Sequence, residues 1–238
     1  MTIGSDDEQR TIVIWRVDLR PGEPPDWTML DARERAVADA FVHSDDRQRY
    51  GRTHCALRIL LSDVLNVAPA DVPVAAGTSG KPHLAGPARR VTFNLSHSRN
   101  TALIAIGCAG EIGIDVEDDD GCTDYSELID TVFDRATAER LHREEPRRRR
   151  QLFLRGWTRK EAVAKALGSG FLMDPRCFTV PLDNASPWTV RLHRSGADFA
   201  LIDVSDAAMV AALAVERFKP RLLVRDFHLE RERRQLTR

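Results

Sequence analysis

No pair of cysteines is spaced C-x-x-C: Cys55, Cys108, Cys122 and Cys177 stand apart, which argues against the common zinc and redox motifs. No apolar run approaches the roughly 20 residues that span a bilayer. The opening Met-Thr-Ile-Gly-Ser-Asp-Asp-Glu lacks the basic and apolar regions of a signal peptide. A soluble cytoplasmic protein with reduced thiols is the expectation. A dominant charge is missing too: Lys plus Arg is 35 against 36 acidic residues, a net charge of -1. No global field draws the protein to nucleic acid or to an anionic membrane, so an anionic ligand must be met by a local basic cluster. There is no P-loop, no G-x-G-x-x-G element and no G-x-S-x-G elbow. No internal repeat is visible.

What is present is a chain of 238 residues, 42% hydrophobic, enough for one large domain or two small ones. Thr11 to Val17 has the look of a strand, followed by a loop at Pro21, Pro24 and Pro25. Leu30 to about Leu65 reads as helices, with Asp31 as N-cap. Val91 to Leu95 and Thr101 to Ile106 read as strands separated by Ser96-His97-Ser98-Arg99-Asn100, and Ile112 to Val116 is a candidate hairpin partner for the second. About 126–167 reads as helices stopped by Gly168. Strand-like patterns return over 177–216, including Phe178-Thr179-Val180 and Trp188 to Leu192, with Phe178 and Trp188 assigned to the core. The order suggests α+β with antiparallel hairpins. The division is a flexible N-terminus over 1–10, an N-terminal half over 11–110, a C-terminal half over 111–218 and a basic, partly disordered tail over 219–238.

Chemistry concentrates in four places. Along Ile112 to Glu117, side chains alternate between faces: Ile112, Ile114 and Val116 share the core face, Asp115 and Glu117 the other. Two like charges on one face repel, and a hard cation such as Mg²⁺, which prefers oxygen ligands, removes that cost. Trp157, Glu161 and Lys165 stack on one helix face at i, i+4 and i+8. Phe93-Asn94-Leu95-Ser96-His97-Ser98 reads as a short strand delivering a Ser-His-Ser turn able to hold phosphate oxygens. A Ser/His nucleophilic pair competes with that reading. Arg47, Arg49 and Arg52 on a helix and Lys81 in Gly80-Lys81-Pro82 supply positive charge. Arg147 to Arg150 reads as an exposed helical face.

Taken in order, Gly80-Lys81-Pro82, Phe93 to Ser98, Ile112 to Glu117 and Trp157 to Gly168 resemble the 4′-phosphopantetheinyl transferases, most closely the larger, surfactin-synthetase-activating type. The resemblance implies a monomer of two similar α+β subdomains related by a pseudo-twofold, each an antiparallel sheet packed with helices, with the active site in the cleft between them. It implies coenzyme A as co-substrate and Mg²⁺, or Mn²⁺, as the ion. Asp115, Glu117 and Glu161 would hold the metal, with Lys165 by the phosphates. Ser96, His97, Arg49 and the Gly80-Lys81-Pro82-His83 stretch would hold the nucleotide part, including its 3′-phosphate. The reaction implied moves phosphopantetheine from coenzyme A to a serine of an apo acyl or peptidyl carrier domain of peptide or polyketide synthases, releasing 3′,5′-ADP.

Two departures stand out. The family often has a glutamate shortly after a Phe; gapless counting from Phe133 places Thr137 there, and Glu139, the candidate base, is displaced by two residues. Asp118, Asp119, Asp120 and Asp124 follow the metal motif and would repel the acidic helix that carriers usually present. A coenzyme A-binding module without turnover, or a Mg²⁺-dependent phosphohydrolase, are the alternatives.

Overall fold

The computed structural model describes residues 10–77, 80–108, 110–119, 121, 123–168, 173–183, 187–192, 196–217 and 220–229. The ordered elements are β1 (Thr11–Asp18), α1 (Ala32–Asp39), α2 (Ser44–Leu65), β2 (Val74–Ala76), β3 (Pro82–Leu84), β4 (Thr92–Ser98), β5 (Thr101–Gly107) and β6 (Ile112–Asp118). They continue with α3 (Ile129–Val132), α4 (Arg135–His142), α5 (Pro146–Leu167), β7 (Trp188–Leu192), β8 (Ala197–Asp203), β9 (Met209–Glu216) and β10 (Arg221–Phe227). One four-stranded sheet runs β10-β1-β5-β4 and a second runs β6-β9-β8-β7. This is the α+β class expected.

Period-two alternation builds the layers. Ala102, Ile104 and Ile106 of β5 face α2, packing on Ala56, Leu57 and Leu60. Leu103 and Ala105, with Ile12 and Ile14, face the second sheet and meet Ile112, Ile114, Val116, Leu213 and Val215. On the far side of the second sheet, Ala212 and Ala214 pack against Ala162, Val163 and Ala166 of α5. The order of layers is α2, first sheet, second sheet, α5. Helix α5 lies directly over β6, and Gly113 allows it: a Cβ there would collide with the backbone of Ala162 and Ala166.

Several expectations need correction. β6 forms no hairpin with β5; it pairs with β9, Asp115 opposite Ala212, and so opens the second sheet. Strand β4 continues through Ser98, so Ser96 and His97 lie on a strand and the turn is only Arg99-Asn100. Arg99 takes the positive φ, 37°, that this tight turn needs. Residues 178–180 form no strand. Trp188 is 45% exposed on the edge strand β7, whereas Phe178 is buried. The stretch assigned to a basic tail contains β10, which pairs in parallel with β1, Thr11 opposite Arg221. The first sheet is thus antiparallel apart from this one pair. Residues 1–9, 230–238 and Cys122 lie outside the described residues; among the described residues Cys55, Cys108 and Cys177 form no disulfide. Among the described residues no helix is long and apolar enough to cross a membrane.

Candidate active site

The facing edges of the two sheets, β4 and β6, run side by side and are joined through side chains. Alternation turns Phe93, Leu95 and His97 toward α2 and Asn94, Ser96 and Ser98 toward β6. Asn94 Oδ1 accepts from the backbone N–H of Ile114 at 2.9 Å. Ser96 Oγ donates to Asp115 Oδ1 at 2.9 Å. Ser98 Oγ donates to Glu117 Oε2 at 3.2 Å and accepts from the backbone N–H of Asp118. The segment expected to offer a turn instead offers a row of side chains along a seam.

From the other side, α5 lowers Lys165 into that row. Its Nζ donates to Asp115 Oδ1 at 2.6 Å and to Ser96 Oγ at 2.8 Å. Two turns earlier, Trp157 Nε1 donates to Glu117 Oε1 at 3.2 Å. The indole is the last of a run of stacked rings, Tyr125 on Phe153 and Phe153 on Trp157. Asp115 Oδ2 is buried and has no hydrogen-bond partner. Glu161 makes no hydrogen bond or ion pair among the described residues, and it interacts electrostatically with Asp115, Lys165 and Glu117.

Electrostatics explain what the cluster lacks. Burial raises the pKa of Asp115, and Lys165 and Ser96 offset only part of it. Burial and then the charge of Asp115 raise Glu117, and the same two causes raise Glu161. Three carboxylates that are hard to ionise together, one with an orphaned oxygen, make a donor set suited to a hard cation. As the side chains stand, no group of three or more His, Cys, Asp or Glu converges as a ready-made ion site among the described residues. Lys165 supplies the nearest positive charge instead.

The remaining candidates separate. A cleft of about 390 Å³ adjoins Lys165 and is lined by Gly80, Lys81, Pro82, Asn94, Tyr50 and His54 among others. Lys81 has all three N–H donors engaged, on Glu111 Oε2 at 2.6 Å, Ile112 O at 3.1 Å and Ala166 O at 3.0 Å. It ties the β2–β3 hairpin to the start of β6 and the end of α5. His83 pairs opposite Ala75 on β3 and does not line the cleft. Arg49 pairs with Asp46 at 2.8 Å. His97 is exposed as a residue, yet loss of solvation, followed by the charges of His54, Lys165 and Arg49, holds its pKa below the ordinary histidine value. Arg47 lies over the Trp27 ring, and Arg52 donates to Arg20 O and Glu23 O.

Glu139 sits on α4 in exposed ion pairs with Arg135, 2.9 Å, and Arg143, 3.7 Å, both on or next to its own helix. Asp134 caps that helix, accepting from Thr137 N and Oγ1. The arginine run divides: Arg150 holds Asp119 at 2.8 Å and Gly121 O, and Arg149 reaches Ser126, so part of the acidic loop is pinned. Sequence reading missed the bonds to Glu117 from Ser98 and Trp157. The alternation Asn94, Ser96, Ser98 was the available signal. It also missed a buried network in which Glu34 accepts from Arg58 Nε and meets His54 Nδ1, because the partners lie on different helices.

A seam of serine, carboxylates and lysine beside a cleft has the chemistry to meet a charged ligand. The 4′-phosphopantetheinyl transferase superfamily model matches residues 111–215. The 4′-phosphopantetheinyl transferase HetI of Nostoc sp. is 31% identical over 225 residues, 92% of this chain and 91% of that protein. The protein slr0495 of Synechocystis sp., provisionally named for the same activity, is 35% identical over 152 residues, 63% of this chain and 62% of that protein. The 4′-phosphopantetheinyl transferase AcpT of Escherichia coli is 33% identical over 111 residues, 47% of this chain and 55% of its own. The chain belongs to the 4′-phosphopantetheinyl transferase superfamily. Membership makes it a transferase and implies coenzyme A and carrier proteins as partners.

Proposed function

We propose that this chain, as a monomer of two related halves, transfers phosphopantetheine from coenzyme A to a serine of an apo peptidyl or acyl carrier domain of a peptide or polyketide synthase. 3′,5′-ADP leaves. The observation that carries the reading is the Ser96–Asp115–Lys165 triangle with its orphaned Asp115 oxygen beside Glu117 and Glu161. Asp115, Glu117 and Glu161 would hold Mg²⁺ or Mn²⁺, which when bound neutralises pyrophosphate charge. In phosphoryl transfer the protein supplies mainly positioning and charge. Lys165, half turned to solvent between Ser96 and Asp115, is the donor for charge on the leaving oxygen. The carrier serine must lose its proton. Of the three carboxylates, Glu161 is the one not tied by a hydrogen bond, and it accepts that proton or passes it to water.

Intact mass of an apo peptidyl carrier after incubation with coenzyme A and Mg²⁺ tests this. A gain of one phosphopantetheine is expected, lost in Asp115→Ala and Glu161→Gln. Glu161→Gln removes a charge that burial and Asp115 disfavour, so it is expected to melt no lower than the parent. Tight coenzyme A binding with peptidyl and acyl carriers both unmodified would instead make it a binding module. Consumption of coenzyme A without any carrier would make it a phosphohydrolase.

A further inference from the structure

The row of side chains along the seam runs between two cavities. The cleft by Lys165 meets it at Asn94 and Leu95. Four residues beyond Asn94, about 13 Å along an extended strand, the other end opens on a second cleft of about 630 Å³. Arg99, Asn100 and Asp118 line it, with Arg16 and Arg20 from β1 and the loop after it. Its wall is built onto the row itself. Ser98 Oγ holds Glu117 Oε2 and accepts from the Asp118 N–H, and the Asn100 N–H donates to Asp118 Oδ2 at 3.2 Å.

Arg99 stands out in that wall. It is exposed and holds φ at 37°, a conformation that glycine or asparagine adopts at less cost. A long side chain kept where the backbone disfavours one points to a use for it. Carboxylates around the cleft are already engaged: Asp226 by Arg16 at 2.7 Å, Asp18 by Arg20 at 2.6 Å and Asp119 by Arg150 at 2.8 Å. The last of these pairs also blunts the acidic run that follows β6. A guanidinium carries five donors in a planar fork that matches a carboxylate, so a contact within the chain leaves Arg99 able to meet another. On the function proposed above, coenzyme A fills the cleft by Lys165. The acceptor must then reach the same carboxylate row from the end that the nucleotide leaves open.

We propose that the carrier protein docks over this second cleft and that Arg99 binds a carboxylate of the carrier beside its reactive serine. This rests on the proposed function. Arg99 recognises the partner and takes no part in the chemistry. The experiment compares the parent, Arg99→Gly and Arg99→Glu by transfer kinetics on an apo peptidyl carrier domain, by calorimetry with coenzyme A and by melting. Arg99→Gly relieves the backbone, so it is expected to melt no lower than the parent. Its KM for the carrier is expected to rise about tenfold, the worth of one charge-assisted hydrogen bond, with kcat and the coenzyme A Kd unchanged. Arg99→Glu is expected to raise that KM further, and added salt is expected to narrow the gap between parent and variants. A carrier KM that stays at the parent value in both variants would overturn the proposal. A weakened coenzyme A Kd with an unchanged carrier KM would place Arg99 on the nucleotide and overturn it as well. A parent that modifies neither peptidyl nor acyl carriers would instead sink the transferase reading, with this inference falling alongside it.

Discussion

At the scale of the residue, charges buried without water decide what this protein can do, and the same rule has opposite results in two places. Around Asp115 burial dominates and the carboxylates are left hard to ionise. Around Glu34 it is overcome by hydrogen bonds and positive charge, and the folded pKa lies below the ordinary glutamate value. A depressed carboxylate pKa contributes stability that is fully present above the unfolded pKa and is lost as pH falls through the folded one. Glu34→Gln is expected to cost about 3 kcal/mol at neutral pH, since it strips a partner from buried Arg58 and from His54. Denaturant melts of parent and variant should converge as pH drops below about 4.3, the ordinary glutamate value. A difference independent of pH in that range would mean that the loss is one of packing. The carboxylate pair on β6 was legible in the sequence because alternation is a strict rule. The Glu34–His54–Arg58 network was not, because nothing local signals a contact between helices 20 and 24 residues apart.

At the scale of the element, the site depends on how closely α5 can lie on β6. Gly113 sets that approach, and Ala162 and Ala166 are the atoms it admits. Gly113→Ala is expected to push the helix outward, lower stability by roughly 1–3 kcal/mol as overpacking does, and lengthen the Lys165–Asp115 contact now at 2.6 Å. Its transfer rate should fall more than its melting temperature suggests; an unchanged rate would show that the helix tolerates the shift. Helix ends were readable, since Asp31 forms a capping box with Glu34 and Gly168 takes φ 66° at the end of α5. β4 was read three residues short, ending at Leu95 instead of Ser98, because Ser, Asn and Arg favour turns locally, while pairing with β5 through Ser98–Thr101 overrides that preference.

At the scale of the whole molecule, each half lends the other something. β10 follows the second sheet in sequence yet completes the first, and a pairing between residues 210 apart leaves no local trace in composition. That is why its strand was mistaken for tail. Lys81 of the first half anchors on Glu111, Ile112 and Ala166 of the second. The seam between β4 and β6 is crossed by serine and asparagine side chains, so Ser96 sits on one side of the boundary and Asp115, Glu117, Glu161 and Lys165 on the other.

The same seam makes this chain a natural split protein. If it were cut between Cys108 and Glu111 and produced as two polypeptides, neither piece would own a complete centre. The second piece would nonetheless carry a strand that belongs in the first piece's sheet, a built-in handle for reassembly. Mixing the two is expected to restore carrier modification, and removing residues 220–238 from the second piece is expected to abolish it. Such a reporter would switch on only where its two fragments meet.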